Sequence, residues 1–383
     1  MLNKRETIPV KICIWENIAS PHQSYFFQAL TDHPKIDLQV RYFERFHDER
    51  TALGWKDNDN LPENEQYVIA EVDDALDTVE AWEERIHIVP GLSYEFTKEL
   101  LNKLIKYDLK WIHWSERSGI GLARKLHYNV WMFNLLQPFA SRILKSDYAN
   151  KINKYAMGVF AQGHLAKQDF IGWGVQKNKI EHLFYTIDKM RKSEKLPDDL
   201  KKHEKKLMFL YAGSLDDRKG ITVLLNAFSK LQNSHNWLLI LVGQDKSDGG
   251  YVRMAINLGI NVVFTGSKSI EIVPQYICSA DVFVLPTLFD GWGAVINEAA
   301  ALGKPMISTD QCGAAFHLIQ ENKNGFRVQA GNSKALAKAM QFYIDNPNMI
   351  DEHGKNSEKI YHDEFTPEKN VQRFLDALQK WQR

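Results

Sequence analysis

The chain has 383 residues, of which 44% are hydrophobic and 25% are charged. A chain of this length and composition is expected to form two domains with buried cores, which excludes a disordered protein. The 48 basic residues balance the 48 acidic ones, so the net charge gives no support to a nucleic-acid partner, and we expect none.

The cysteines and the apolar segments bear on the compartment. The three cysteines lie far apart and show no metal-ligand spacing, which favours a reducing, cytoplasmic compartment and no metal site. The N-terminal residues contain no apolar run of signal length, and no window approaches the ~18 apolar residues that a membrane helix needs. We therefore expect a cytoplasmic protein that is soluble or attached to a membrane surface.

The first half of the chain alternates strands with helices. A strand is predicted at 10–15 and a helix from about 23 to 30, and such alternation predicts a parallel sheet. Further strands are predicted at 38–42, 86–89 and 110–114, with a helix at 94–107, and the segments 159–161, 166–170 and 180–184 continue the pattern. We predict an N-terminal Rossmann-like domain over 1–188.

Residues 189–206 are almost wholly charged and include Pro197. We interpret them as an interdomain linker, with an exposed helix as the alternative. A second alternation predicts a C-terminal domain over 207–365, with strands at 207–212, 237–242, 261–265, 281–286 and 305–308 and a helix at 220–231. A last helix, 367–382, begins after Thr366 as its N-cap.

The fold class is therefore α/β, with two doubly wound halves. Ligands of open parallel sheets bind beyond the carboxyl ends of the strands. We expect the two halves to face each other across a central cleft.

The segment 279–309 runs from an apolar strand through an acidic loop to a helix of small residues and a second strand. Asp290 lies on the loop and Glu298 eight positions later in the helix. Glu298 can accept hydrogen bonds from two vicinal hydroxyls, as on a ribose; alternatively, it only stabilises the helix dipole. The helix start favours phosphate, and the residues before it permit a close approach of ligand: Gly291, Trp292, Gly293 and Ala294.

A second candidate segment is 212–220. A strand ends at Gly213, a turn follows, and Lys219 precedes a helix, where it can neutralise a phosphate. The alternative is that Arg218 and Lys219 are solvated loop charges. The chain has no GxxxxGK[ST] and no GxGxxG after a strand, which disfavours a nucleoside triphosphatase or a dehydrogenase.

These segments occur together in order, as LYAGSLDDRKGITVLLNAF, LLILVGQD, the segment 261–309 and NGFRV. Over roughly 207–345 the chain resembles the donor-binding half of family 4 glycosyltransferases, which have the GT-B fold. The resemblance implies a retaining glycosyltransferase of the hexosyl-transferring type, which uses a UDP- or GDP-linked sugar and needs neither a bound metal nor another cofactor. It also implies that the last helix, 366–383, packs back on the N-terminal domain.

The resemblance also assigns roles to residues. Glu298 matches the ligand of the nucleotide ribose, Lys219 matches the diphosphate lysine, and Asp290 stands where the family has an acid, usually Glu, near the transferred sugar. Ser214 occupies the position of a common basic residue, whose charge Arg218 would have to supply. The other donor-binding positions implied are Gly213, Gly291, Trp292, Gly293 and Ala294.

The N-terminal half matches by pattern rather than by motif. His113 falls where the family places a histidine near the donor sugar, with Glu116 and Arg117 in reserve; the alternative is a hydrogen-bonded core histidine. His22, in the loop 17–24, is a candidate for the acceptor side. The expected mechanism is a same-face substitution in which the leaving diphosphate takes the proton of the acceptor.

The segment 119–154 carries six basic residues against one acid, around the apolar run 130–139. This pattern favours an anionic membrane surface, on the inner face of the cytoplasmic membrane, and a glycan or lipid-linked acceptor in cell-surface polysaccharide biosynthesis. A buried helix with charged ends is the alternative. Two other functions remain open: a GT-B sugar-nucleotide epimerase, and a catalytically silent partner that binds nucleotide sugar.

Overall fold

The computed structural model describes residues 8–45, 61–187, 190–193, 195–203 and 206–382. Within these ranges it contains two parallel β-sheets, each flanked by helices. The first sheet has seven strands in the order β3-β2-β1-β4-β5-β6-β7, and the second has six strands in the order β10-β9-β8-β11-β12-β13.

The first sheet and its helices occupy the N-terminal half. The strands are β1 Val10–Glu16, β2 Ile36–Tyr42, β3 Glu65–Tyr67, β4 Ile86–Val89, β5 Trp111–Ser115, β6 Gly158–Ala161 and β7 Ile180–His182. The helices are α1 Pro21–Thr31, α2 Val72–Asp77, α3 Glu95–Lys106, α4 Ile120–Lys125, α5 Val130–Tyr155 and α6 His164–Trp173.

The second sheet is built from the C-terminal half. The strands are β8 Leu207–Ala212, β9 Trp237–Val242, β10 Val262–Gly266, β11 Val282–Leu285, β12 Met306–Thr309 and β13 Gly325–Val328. The helices are α7 Ile221–Phe228, α8 Gly250–Asn257, α9 Val273–Ser279, α10 Val295–Ala301, α11 Ala315–Leu318, α12 Ser333–Asp345, α13 Asn348–Glu364 and α14 Pro367–Trp381.

Both sheets are buried on their two faces. In β9 all six residues, WLLILV, are buried, because parallel strands covered on both sides need continuous apolar runs. In β1 successive side chains point to opposite faces: Ile12 and Ile14 join one apolar cluster, and Cys13 and Trp15 join another.

The last helix returns to the first sheet. Thr366 caps α14 by accepting a hydrogen bond from the backbone N–H of Lys369, which satisfies a free donor of the first turn. Phe374 then stacks on Phe160 of β6, with ring centroids 5.3 Å apart. Trp381 covers Gly158, where a Cβ would come within 2.2 Å of the indole.

The sheet topology places the functional edge. In each sheet the chain order reverses at one point, between β1 and β4 and between β8 and β11, and such switch points open a crevice at the carboxyl ends of the strands. The first crevice begins after Glu16 and the second after Ala212. None of the helices in the described part of the chain is both long and apolar enough to cross a membrane.

Candidate active site

A cavity of about 550 Å³ lies between the two sheet edges. Its C-terminal wall includes most of the residues predicted for donor binding: Gly213, Ser214, Arg218, Lys219, Asp290, Trp292, Gly293, Ala294 and Glu298. Its N-terminal wall includes Glu16, His22, Gln23, Glu116 and Tyr185. The structure therefore brings the two motif segments of the second half together, opposite residues of the first half.

Lys219 and Asp290 form a buried ion pair in this wall, through Nζ and Oδ2. Burial alone would raise the pKa of Asp290, but the charges of Lys219 and Arg218 outweigh it and hold the pKa below its ordinary value. Asp290 is therefore an ionised acceptor of hydrogen bonds at neutral pH.

The turn 213–219 fixes the position of Lys219. Asp216 accepts hydrogen bonds from the backbone N–H of Lys219, at 2.9 Å, and from the hydroxyl of Ser214, at 2.7 Å. Gly220 has φ +72°, and a Cβ there would lie 2.2 Å from the carbonyl oxygen of Pro286. Only glycine allows the two motif loops to approach this closely.

Arg218 holds the loop that carries Asp290. Its guanidinium donates to the carbonyl of Phe289 at 3.3 Å, and its own carbonyl accepts from the backbone N–H of Leu288 at 2.8 Å. Ser214 bonds within its own turn instead. Arg218, and not Ser214, is thus the residue that adds a second positive charge next to Lys219 at the cavity.

Glu298 lies in α10 (Val295–Ala301) and is half-buried against the cavity. Burial raises its pKa from 4.5 to about 7. Trp292, in the loop before α10, is almost fully buried and donates from Nε1 to Asn297 Oδ1 at 2.9 Å. Its ring also stacks on Phe184 of the first half, at 5.2 Å, so Trp292 anchors the loop as well as lining the cavity.

The structure does not bring His113 to the cavity. The ring is buried within β5, hydrogen-bonded with the Tyr148 hydroxyl at 2.8 Å and with the Ser115 hydroxyl at 2.9 Å. Burial lowers the pKa of His113 to about 3, so it is neutral at pH 7. His113 is therefore a hydrogen-bonded core histidine, as the alternative interpretation predicted, and it does not lie near the donor-binding residues.

The two reserve residues after His113 do reach the second half. Glu116 lines the cavity. Arg117 stacks its guanidinium on the rings of Phe289, at 4.4 Å, and Phe133, at 5.2 Å. It also donates to the side chain of Gln311 at 3.0 Å. The turn after β5 therefore holds the loop that carries Asp290.

Sequence reasoning missed Glu16. Its carboxylate accepts from Nε2 of Gln23 at 2.7 Å, and burial, with the charge of Glu116 adding to it, raises its pKa to about 8. The available signal was an acid at the carboxyl end of the apolar strand VKICIW. His22 also lines the cavity, and its ring packs near that of Tyr185, at 6.3 Å.

Known glycosyltransferases resemble this chain in sequence. Residues 192–360 match the family model of glycosyl transferases group 1. The capsular polysaccharide biosynthesis glycosyltransferase CapM of Staphylococcus aureus is 27% identical over 214 residues, which cover 53% of each chain. The D-rhamnosyltransferase WbpZ of Pseudomonas aeruginosa is 25% identical over 241 residues, which cover 61% of this chain and 60% of the relative.

The sequence matches are partial, whereas the structural ones are not. The chain spans 34% of an uncharacterized glycosyltransferase of Methanocaldococcus jannaschii, at 30% identity, and no more than 60% of CapM and WbpZ. The structure of HepE from Anabaena in complex with UDP superposes with a TM-score of 0.70 and 18% identity, over 97% of this chain and 100% of that one.

The lipopolysaccharide outer core galactosyltransferase WaaB, in its apo form, gives a TM-score of 0.69 at 15% identity, over 96% of this chain and 99% of that one. Such superpositions establish the fold and leave the substrates to other arguments. The predicted GT-B fold is confirmed, and the resemblance predicted for the second half agrees with the match of residues 192–360 to the model of glycosyl transferases group 1.

Proposed function

We propose that this protein is a retaining glycosyltransferase that moves a hexosyl group from a UDP- or GDP-linked donor to a glycan or lipid-linked acceptor in cell-surface polysaccharide biosynthesis. The observation that carries the proposal is the grouping of Lys219, Asp290 and Glu298 on one wall of the cavity between the two halves. The similarity to CapM, which is named for capsular polysaccharide biosynthesis, supports it, as does the fold shared with HepE, whose structure is a complex with UDP.

The donor binds along the C-terminal wall. Glu298 accepts hydrogen bonds from the ribose hydroxyls, and the diphosphate lies against Lys219 and Arg218, whose two positive charges offset its negative charge. Arg218 supplies the charge that Ser214 lacks. Asp290, ionised and held by Lys219, accepts from a hydroxyl of the transferred sugar.

The chemical step is a same-face substitution. The acceptor oxygen forms a bond to the anomeric carbon while the bond from that carbon to the diphosphate oxygen breaks. The departing diphosphate takes the proton of the acceptor hydroxyl, and Lys219 and Arg218 stabilise the charge that grows on it. These two side chains provide the positive charge that a metal ion supplies in other transferases, so the reaction needs no metal.

The acceptor side lies next to a surface that suits a membrane. Four side chains of α5 follow one another at intervals of four residues and are 51–78% exposed: Trp131, Leu135, Phe139 and Ile143. Exposed basic residues, Arg124, Lys125 and Arg142, flank them. We name this the α5 surface and propose that it rests on the anionic inner face of the cytoplasmic membrane.

Two measurements test the proposal. A thermal-shift screen with UDP, GDP, ADP and TDP should show selective stabilisation by one of them. That nucleotide sugar is then supplied with acceptor glycans, and NMR identifies the anomer of the product, which should retain the donor configuration. An inverted product contradicts the mechanism. An isomerised donor without transfer indicates an epimerase, and binding without any turnover indicates a silent partner.

A further inference from the structure

The N-terminal wall of the cavity carries two carboxylates from distant parts of the chain. Glu16 is the last residue of β1, and Glu116 follows β5. Because parallel strands end at the same sheet edge, both acids reach the cleft. We call Glu16 and Glu116 the acidic wall; it faces the donor-binding residues, and Glu116 reaches the loop that carries Asp290.

The chain holds Glu116 in a fixed position. The hydroxyl of Tyr185 hydrogen-bonds to its carboxylate. On the other side the carboxylate lies over Gly291, where a Cβ would fall 1.8 Å from Oε2. Any side chain at position 291 would therefore displace the carboxylate, so Gly291 makes room for Glu116 beside Asp290.

Glu16 is also held in place, by the hydrogen bond from Gln23. The charge of Glu116 adds to the effect of burial in raising the pKa of Glu16 to about 8, and burial also raises the pKa of Glu116. At neutral pH such a pair offers one hydroxyl that donates and carboxylate oxygens that accept. Hydroxyl groups of a sugar match both kinds of partner.

The charges of the cavity are divided between its walls. The positively charged side chains that line it, Arg218, Lys219 and Lys268, come from the second half. Among the described residues of the first half, no lysine and no arginine lines the cavity. The basic side chain on that wall is His22, whose ring packs near the ring of Tyr185. Lys219 and Arg218 act on Glu116 from the second half, and in the proposed mechanism both hold the diphosphate of the donor. With the donor bound, a carboxylate or phosphate at the acidic wall would therefore meet like charge while these cations are engaged elsewhere.

We propose that the acidic wall is the subsite for the reacting sugar of the acceptor, and that it selects an uncharged sugar ring with free hydroxyls over uronic acids and sugar phosphates. The inference rests on the proposed function, because it assigns the second substrate of the same cavity. The ionised carboxylate of the pair accepts charge-assisted hydrogen bonds from ring hydroxyls, and the protonated carboxyl donates one; together they orient the attacking oxygen. Glu16 and Glu116 are therefore specificity and positioning residues.

The test uses matched sugar pairs that differ only in charge. Methyl glucoside with methyl glucuronide, and methyl galactoside with methyl galacturonide, are titrated by ligand-observed NMR against the protein saturated with the nucleoside diphosphate that stabilises it. In at least one pair we expect the neutral sugar to bind about tenfold more tightly than its acid. In the double variant Glu16→Gln/Glu116→Gln the ratio should fall below about threefold, since neutral amides no longer repel the acid.

Glu83→Gln, an exposed acid of the same half, is the matched control and should keep the wild-type ratio. Equal or tighter binding of the acids, binding of none of the four sugars, or an unchanged ratio in the double variant overturns the inference. Release of nucleotide from the donor is followed in parallel. Turnover with no selectivity rejects only the acidic wall, whereas no turnover with any donor rejects the proposed function.

Discussion

The rings of Phe133 and Phe289 meet edge to face, with centroids 5.3 Å apart. Phe133 is a buried residue of the helix that carries the α5 surface, and Phe289 immediately precedes Asp290. The guanidinium of Arg117 packs against both rings. The helix α5 and the loop that carries Asp290 are thus in direct contact, so we expect a shift of one to move the other.

Phe133→Ala should lower both stability and turnover, although Phe133 lines no substrate. Loss of a buried aromatic ring costs about 3–5 kcal/mol in a full core, and less in this small cluster. Phe133→Leu, which keeps most of the volume, should recover much of both. Urea denaturation and steady-state kinetics measure the two effects; an alanine variant with normal turnover would show that the contact is not needed by the loop.

Lys219→Ala should reduce kcat by about 10²–10³, the usual effect of removing one group that stabilises a developing negative charge. The variant also leaves Asp290 buried without its partner. Lys338→Ala, which removes an exposed lysine of the same half, is the control. Unchanged turnover in Lys219→Ala would exclude this lysine from the diphosphate site.

Glu298→Gln should alter the pH dependence of stability. The folded pKa of Glu298, about 7, lies above its ordinary value of 4.5, so ionisation opposes folding. The contribution of this residue to stability is full below about pH 4.5 and is lost as the pH rises through about 7. The glutamine variant should therefore be more stable than the wild type at pH 8, by on the order of 1–3 kcal/mol, and should show no such gain at pH 4. Urea melts at both pH values measure this.

The same substitution should weaken nucleotide binding at pH 8, because the ionised carboxylate is the proposed ribose ligand. As the pH falls below about 7, the affinity of the wild type should approach that of the variant. The affinity of both proteins for the nucleotide is measured by calorimetry across pH 5.5–8.5. Protonation of the nucleotide itself affects both proteins equally, so it cancels in the difference between their affinities. A constant difference between the two proteins would contradict the assignment.

The triple variant Trp131→Ser/Phe139→Ser/Ile143→Ser should lose binding to vesicles that contain anionic lipid. Sedimentation with anionic and with purely zwitterionic vesicles separates the charge effect from the apolar one. Ile256→Ser is the control, because Ile256 is 71% exposed on α8. Sedimentation of the wild type with neither kind of vesicle would reject the α5 surface as a membrane site.

Turnover should be unaffected by EDTA, because Lys219 and Arg218 balance the charge of the diphosphate in the proposed mechanism. A loss of activity that Mg²⁺ or Mn²⁺ restores would show that these side chains are not sufficient. Lys219→Ala is measured in parallel. If a metal ion restores turnover in that variant, the positive charge it replaces is that of the Lys219 side chain.

Five of the six strands of the second half were predicted to within one residue at each end, whereas β13 was not predicted. The predicted 207–212 and 237–242 coincide with β8 and β9, because buried parallel strands are continuous apolar runs bounded by turn residues. The long helix α5 (Val130–Tyr155) was recognised only as an apolar run between charges. Apolar side chains lie on its exposed side as well as on its buried side, and Pro138 interrupts it, so the sequence shows no single apolar face.

The donor wall followed from local motifs, whereas the N-terminal wall did not. Arg117 and Gln311 are hydrogen-bonded across 194 positions of sequence, and the contact of Glu116 with Gly291 is similarly remote. The strand before Glu116 ends one residue later than predicted, at Ser115. His113 lies inside the sheet, where Tyr148 and Ser115 bond to its ring, and Glu116, the first acid beyond the strand, reaches the cavity. Two things decide which residue faces the cavity: the residue at which the strand ends, and the position of the opposite domain, which forms the other wall. The local sequence shows neither.

The return of α14 (Pro367–Trp381) to the first sheet gives the two halves two covalent connections, one before β8 and one after α13. Two covalent connections allow the halves to move apart and together, but they restrain rotation of one half about the other. We therefore expect Glu298 and the acidic wall to keep facing each other whenever the width of the cavity changes.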